Sequence, residues 1–315
     1  MTRVVVDTDP GIDDTAAIFF LLASGRFQVE ALTTVFGNVE VEQCTRNALK
    51  ILEIAGRTDI PVYPGSSRPL VRDPHYAKFI HGDYGLGDVA VRDLSTAPAE
   101  SGAVDAIISR VLAAPGEITL IALGPLTNVA LALAAEPSLA LHLHRLIVMG
   151  GAVLTWGNVT PAASANLYND PEAARVVYRS GVRLVQVGLD VCRPTVITRS
   201  HLTRMREASS DPAVFLLQIT PFIQNAYRRR GLALGDDGGV QYNDVVCAAY
   251  AVSPALFVTR SLFVEIETQG AFTTGATVAD FEGRWGEPPN VEVCLEVDAP
   301  GVADLFTETL MRWRV

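Results

Sequence analysis

Val4-Val5-Val6-Asp7-Thr8-Asp9-Pro10-Gly11-Ile12-Asp13-Asp14, with the apolar run Ala16-Ala17-Ile18-Phe19-Phe20-Leu21-Leu22 close behind, is the stretch that decides the fold. Three β-branched residues read as a buried parallel strand, Pro10-Gly11 breaks it, and Asp13 is placed to cap the helix that follows. Four carboxylates, Asp7, Asp9, Asp13 and Asp14, therefore gather where the first strand ends. In an open α/β sheet that edge is where ligands bind. Carboxylates crowded there repel one another unless protons or a cation compensate them. Every side-chain donor is an oxygen, with no Cys or His among them, which suits Ca2+ or Mg2+ rather than zinc. Turn amides and the helix dipole would account for one or two aspartates; four within eight residues exceed that need.

Working outward, residues 29–35 read as a second buried strand ending at Gly37-Asn38, and residues 42–55 as a helix stopped by Gly56. Residues 60–63 make a short third strand. Strand alternating with helix implies right-handed crossovers, hence a doubly wound, mostly parallel α/β sheet flanked by helices. Residues 64–101 lose this periodicity and carry His81-Gly82-Asp83-Tyr84-Gly85-Leu86-Gly87, a loop long enough to be expected as an active-site flap. Strands follow at 118–123, 145–149, 183–187, 257–267 and 291–297. Helices are expected at 103–113, 129–135, from Asp170-Pro171-Glu172, at 198–208, 213–228 and 245–252, and from about 301. Arg228-Arg229-Arg230 reads as a solvated helix end, and 228–240 as a second flap loop. Nothing marks an internal linker or a repeat, so residues 1–315 read as one domain.

Charged residues are 19% of the chain and AVILMFWYC 49%, so much of it is expected in buried elements and subunit contacts, as a homodimer or homotetramer. Thirty-five acidic against 25 basic residues give a net charge of −10, which disfavours nucleic acid and anionic membranes as partners and leaves a small-molecule ligand. Cys44, Cys192, Cys247 and Cys294 are isolated and read as core residues. The first strand starts too early for a signal peptide, and no apolar run approaches the ~20 residues of a membrane span, so a cytoplasmic location is expected. Gly-x-Gly-x-x-Gly and the phosphate-loop lysine motif are both absent.

Asp7-Thr8-Asp9 is similar to the nucleophile strand of haloacid-dehalogenase-like phosphatases. That family, however, has Thr or Val two residues after its second Asp, where this chain has Gly11. The resemblance that runs through the whole chain is to the nucleoside hydrolases, the calcium-dependent N-ribohydrolases. Their N-terminal signature resembles Asp7-Thr8-Asp9-Pro10-Gly11-Ile12-Asp13-Asp14 residue for residue. It continues in Thr33-Thr34-Val35-Phe36-Gly37-Asn38, Leu123-Gly124-Pro125-Leu126-Thr127-Asn128, Val148-Met149-Gly150-Gly151, Asn166 and Asp170-Pro171-Glu172-Ala173-Ala174.

This resemblance implies hydrolysis of the N-glycosidic bond of a ribonucleoside. By it, Asp9, Asp14, the Thr127 carbonyl and Asp244 hold Ca2+, and Asp9 is also the base that activates a water. Asp13, Asn38 and Asn166 contact the ribose hydroxyls, Asn158 the 5′ side, and His81 flanks the pocket from the flap. Asp7 braces the loop from behind. Two departures stand out. Many purine-accepting members have His before the last Asp, as an acid near the leaving base; here the catalytic position is Asn243, and an amide cannot protonate a base. Tyr242, His81 and Tyr84 are the other candidates. Many members also have Glu-Phe-Asn where this chain has Ser164-Ala165-Asn166, so Ser164 is expected to reshape the 5′ end. Two further readings stay open: a metal-dependent phosphohydrolase using Asp7 and Asp9, and a calcium-dependent ribose-binding protein without turnover.

Overall fold

β1 (Thr2–Thr8) is buried from Val4 onward, as a strand covered on both faces must be. The structure, a computed structural model, describes residues 1–207, 210–231 and 238–313. Around β1 run β2 (Phe27–Thr34), β3 (Val62–Tyr63), β4 (Ile118–Ala122), β5 (Arg145–Met149), β6 (Leu184–Val187), β7 (Phe257–Ile266), β8 (Thr277–Asp280) and β9 (Val291–Val297). They form one sheet in the order β3-β2-β1-β4-β5-β6-β9-β7-β8. β1 to β6 pair in parallel and β9 joins β6 in parallel, while β7 and β8 close the edge antiparallel. This is the single-domain, mostly parallel α/β architecture that the alternation predicts. β8 carries no apolar run of its own and was not legible in the sequence.

Two cores cover the sheet. Helices Ile12–Ala23, Val41–Ile54, Asp211–Arg229, Asn243–Val252 and Ala299–Arg312 pack on one face; Ala103–Ala113, Thr127–Ala135 and Pro171–Tyr178 pack on the other. Helix Ile12–Ala23 is apolar around most of its circumference because it lies beneath other helices; Phe20 meets Phe306 edge-on at 5.5 Å. It also runs against helix Asn243–Val252, so the two first turns come together although 230 residues separate them in sequence. The strand order reverses at β1, with β2 on one side and β4 on the other, and the crevice that opens there lies at the strands' carboxyl ends.

Several boundaries differ from expectation for local reasons. Asp13 is not the cap of the first helix: Gly11 holds that position, and Asp14 reaches back to accept the Gly11 N–H at 2.9 Å. Helix Thr127–Ala135 begins two residues before the expected 129, with Leu126 as its cap residue. Asp170 does cap helix Pro171–Tyr178, accepting from the Ala173 N–H at 3.0 Å, with Pro171 in its first turn. The stretch between β5 and helix Pro171–Tyr178 ends in the short helix Ala165–Asn169, which was not among the expected helices. Of the second flap, residues 232–237 lie outside the described residues, as does residue 208 of the helix expected at 198–208. The four cysteines are free and buried. Among the described residues no helix is long and apolar enough to cross a membrane.

Candidate active site

The floor of the crevice is three carboxylates. Asp13 and Asp14 stand in the first turn of helix Ile12–Ala23 and Asp244 in the first turn of helix Asn243–Val252, all buried, with ligand oxygens within 4.8 Å of one another. Burial raises the pKa of each: Asp13 is pushed up to about 6, Asp14 is raised, and Asp244 lies well above the carboxylate range. For Asp244 the next cause is the charge on Asp13 and Asp14. Asp13 is partly relieved by the backbone N–H groups of Asn243 and Asp244. Asp14 accepts from the Thr8 hydroxyl at 2.6 Å, the Gly11 N–H and Asn38 Nδ2, each at 2.9 Å for the last two. A buried group of like charges built only of oxygens is matched by a hard divalent cation.

Asp9 joins the floor from the strand end. Its Oδ2 accepts the Asn38 N–H at 2.8 Å, while its Oδ1 takes no hydrogen bond among the described residues. Burial first, then Asp14, raises it well above the ordinary value. The chain passes so close that a Cβ on Gly37 would lie 2.0 Å from Asp9 Oδ2, which is why glycine stands there.

Thr127 is not placed as expected. Its hydroxyl donates to Asp170 at 2.7 Å, and the residue does not line the pocket. The residue of this turn that lines the pocket is Leu123, just after β4, and its carbonyl accepts from the amide of Asn166. Asn166 also donates to the Met149 carbonyl at 3.1 Å and lines the pocket. Asn38 spends its amide donors on the Asp9 carbonyl and on Asp14, which leaves its side-chain oxygen as an acceptor. Asn158 lines the pocket with its oxygen held by the Ala165 N–H at 2.8 Å.

Ser164 departs further from expectation. It is 1% exposed, its hydroxyl accepts the Gly151 N–H at 2.7 Å, and its neighbour Ala165 lines the pocket instead. Asp7 lies behind the pocket, accepting from Thr33 at 2.5 Å and Asn128 at 2.8 Å, so Asp7 and Asp9 do not share an open site. The paired-aspartate phosphohydrolase reading loses its geometry here.

The remaining expectations concern the leaving group. Tyr242 is buried, with its hydroxyl 2.5 Å from that of Thr220, and Tyr84 is 48% exposed; neither lines the pocket. Asn243 and His81 do. His81 Nδ1 accepts the Ile12 N–H at 3.1 Å, so the neutral ring carries its proton on Nε2, and burial holds its pKa down to about 4. The cavity encloses about 270 Å³, and its wall includes Arg193, Tyr227, Gln241 and Trp156, none of which sequence reasoning singled out. Position after a strand's carboxyl end, just past β6, was the available signal for Arg193.

Fold and pocket together define the class: a doubly wound α/β protein whose small-molecule pocket is floored by buried carboxylates at the carboxyl edge of its parallel sheet. The sequence profile described as inosine-uridine preferring nucleoside hydrolase matches residues 4–304. A non-specific ribonucleoside hydrolase of Escherichia fergusonii is 38% identical over 309 residues, covering 98% of each chain. Among solved structures, a plant nucleoside hydrolase superposes with a TM-score of 0.93 at 36% identity, covering 99% of each chain. A purine-preferring ribonucleoside hydrolase from Gardnerella vaginalis gives 0.92 at 32%, covering 98% of each. The chain belongs to the inosine-uridine preferring nucleoside hydrolase family.

Proposed function

We propose that this chain hydrolyses ribonucleosides to free base and ribose with Ca2+ at the carboxylate floor. The supporting observation is the buried, oxygen-only donor set of Asp9, Asp13, Asp14, Asp244 and the Leu123 carbonyl, gathered at the carboxyl edge of the sheet in a chain of this family. Bound there, a divalent cation would lower the pKa of a coordinated water and hold the ribose diol. Asp14 and Asp244 act as ligands. Asp9, anchored through one oxygen with the other free of donors, takes the proton of the water that attacks C1′. Asp13 and the side-chain oxygens of Asn38 and Asn166 accept from the ribose hydroxyls, and the amide of Asn158 is left to donate toward the 5′ side. As the C1′–N bond breaks the sugar acquires oxocarbenium character, which the floor carboxylates stabilise. His81 offers its Nε2–H to the departing base.

The test is to incubate the purified chain with inosine, uridine, adenosine and p-nitrophenyl phosphate, with and without a divalent cation, and measure free ribose and phosphate. Ribose release that needs the cation is expected. Phosphate release, or tight nucleoside binding with neither product, would overturn the reading.

A further inference from the structure

Breaking a C1′–N bond leaves the electron pair on the base, and the expected acid is missing from this pocket. Position 243 is an amide, Tyr242 holds Thr220 in the core, and His81 is fixed as a neutral ring by the Ile12 N–H. Arg193 offers a different solution. It follows the short helix Leu189–Cys192 beyond β6 and lines the same cavity as Asn243 and Asp244. Two contacts stitch its segment to the Asn243 turn: the Cys192 thiol donates to the Asn243 carbonyl at 3.7 Å, and the Gln241 amide donates to the Arg193 carbonyl.

Its guanidinium lies 4.5 Å over the Trp156 ring. Nε and Nη2 donate to the Trp156 carbonyl at 3.3 and 3.0 Å, and Nη2 to the Gly157 carbonyl at 2.7 Å. Those acceptors are neutral and occupy one edge, so among the described residues the guanidinium has no carboxylate within ion-pair distance, with Asp190 acting on it only from further off, and Nη1 has no acceptor. A guanidinium clamped by stacking and by two carbonyls is a preorganised donor for developing negative charge.

We propose that Arg193 is a catalytic residue for the leaving group, holding the departing base as an anion through a charge-assisted hydrogen bond instead of protonating it. This rests on the reading of the chain as a ribonucleoside hydrolase. Water oxygen bonds to C1′ and its proton passes to Asp9. The C1′–N pair goes to the base, which faces Arg193 as an anion and takes a proton from solvent after it leaves.

The test is kcat/KM for Arg193→Gln and Arg193→Lys on inosine, on uridine and on p-nitrophenyl riboside, whose phenolate leaves without help. Arg193→Gln should lose about 10- to 100-fold on the two nucleosides while staying within about threefold on the phenolate riboside. Arg193→Lys should recover part of the loss. Equal loss on all three substrates would reduce Arg193 to a clamp on the 156–157 backbone, and no loss on any would show that it does not meet the base. An unchanged melting temperature and calcium affinity confirm that each variant is folded. Failure of the unsubstituted protein to release ribose from any substrate would instead be a failure of the proposed function.

Discussion

Ser164 illustrates what a motif position does and does not say. The sequence placed it where relatives have a 5′-contacting carboxylate, but the short hydroxyl has turned inward to satisfy the Gly151 N–H. Ser164→Ala should therefore strand a buried donor and cost about 1–3 kcal/mol of stability, read by denaturant unfolding, with kcat/KM little changed. Ser164→Glu should lower stability without improving 5′-hydroxyl substrates over their 5′-deoxy analogues; a selective gain on the former would show the residue does reach the pocket. The aspartates were legible because side-chain chemistry is written in the sequence. Leu123 was not, since its polar contact is made by a main-chain carbonyl that any residue carries, and the reading settled on Thr127 four positions on.

The turn between β1 and helix Ile12–Ala23 governs more of the site than its length suggests. Gly11 has φ −104° and ψ −159°, which alanine tolerates, but a Cβ there would lie 2.6 Å from both Asn38 Nδ2 and His81 Nδ1. Gly11→Ala should thus displace the amide that holds Asp14 and the ring that flanks the cavity. The expected result is a fall in kcat/KM of roughly tenfold or more with a small change in melting temperature. Unchanged kinetics would mean both side chains relax freely. Asp244 could be assigned to a first turn from sequence, but the helix it meets could not. That meeting depends on apolar packing between helices Ile12–Ala23 and Asn243–Val252, which periodicity indicates without naming the partner.

Across the whole molecule, the alternation of strand and helix was enough to predict the parallel sheet, whereas the antiparallel edge depended on pairing of β7, β8 and β9 that no local pattern announces. The sheet concentrates its carboxylates at one edge, and this links stability to pH. In the metal-free fold burial raises Asp7 and Asp13 to about 6, and Asp9, Asp14 and Asp244 also lie above the ordinary range. An unfolded chain titrates near 3.9, so between these values the folded state binds more protons and stability falls as pH rises. Chelated protein should melt at a lower temperature at pH 8 than at pH 5. Saturating calcium, binding only the folded state, should restore about 2.7 kcal/mol at a hundredfold excess over Kd and reduce that difference. A metal-free melting temperature that rises with pH would contradict the assignment of these carboxyls. The most direct test of the central claim is release of free ribose from inosine while calcium is titrated into chelator-stripped protein. A saturable return of turnover from a baseline near zero is predicted, and it should be absent in Asp244→Ala. Full turnover of the stripped protein before any calcium is added would contradict the account.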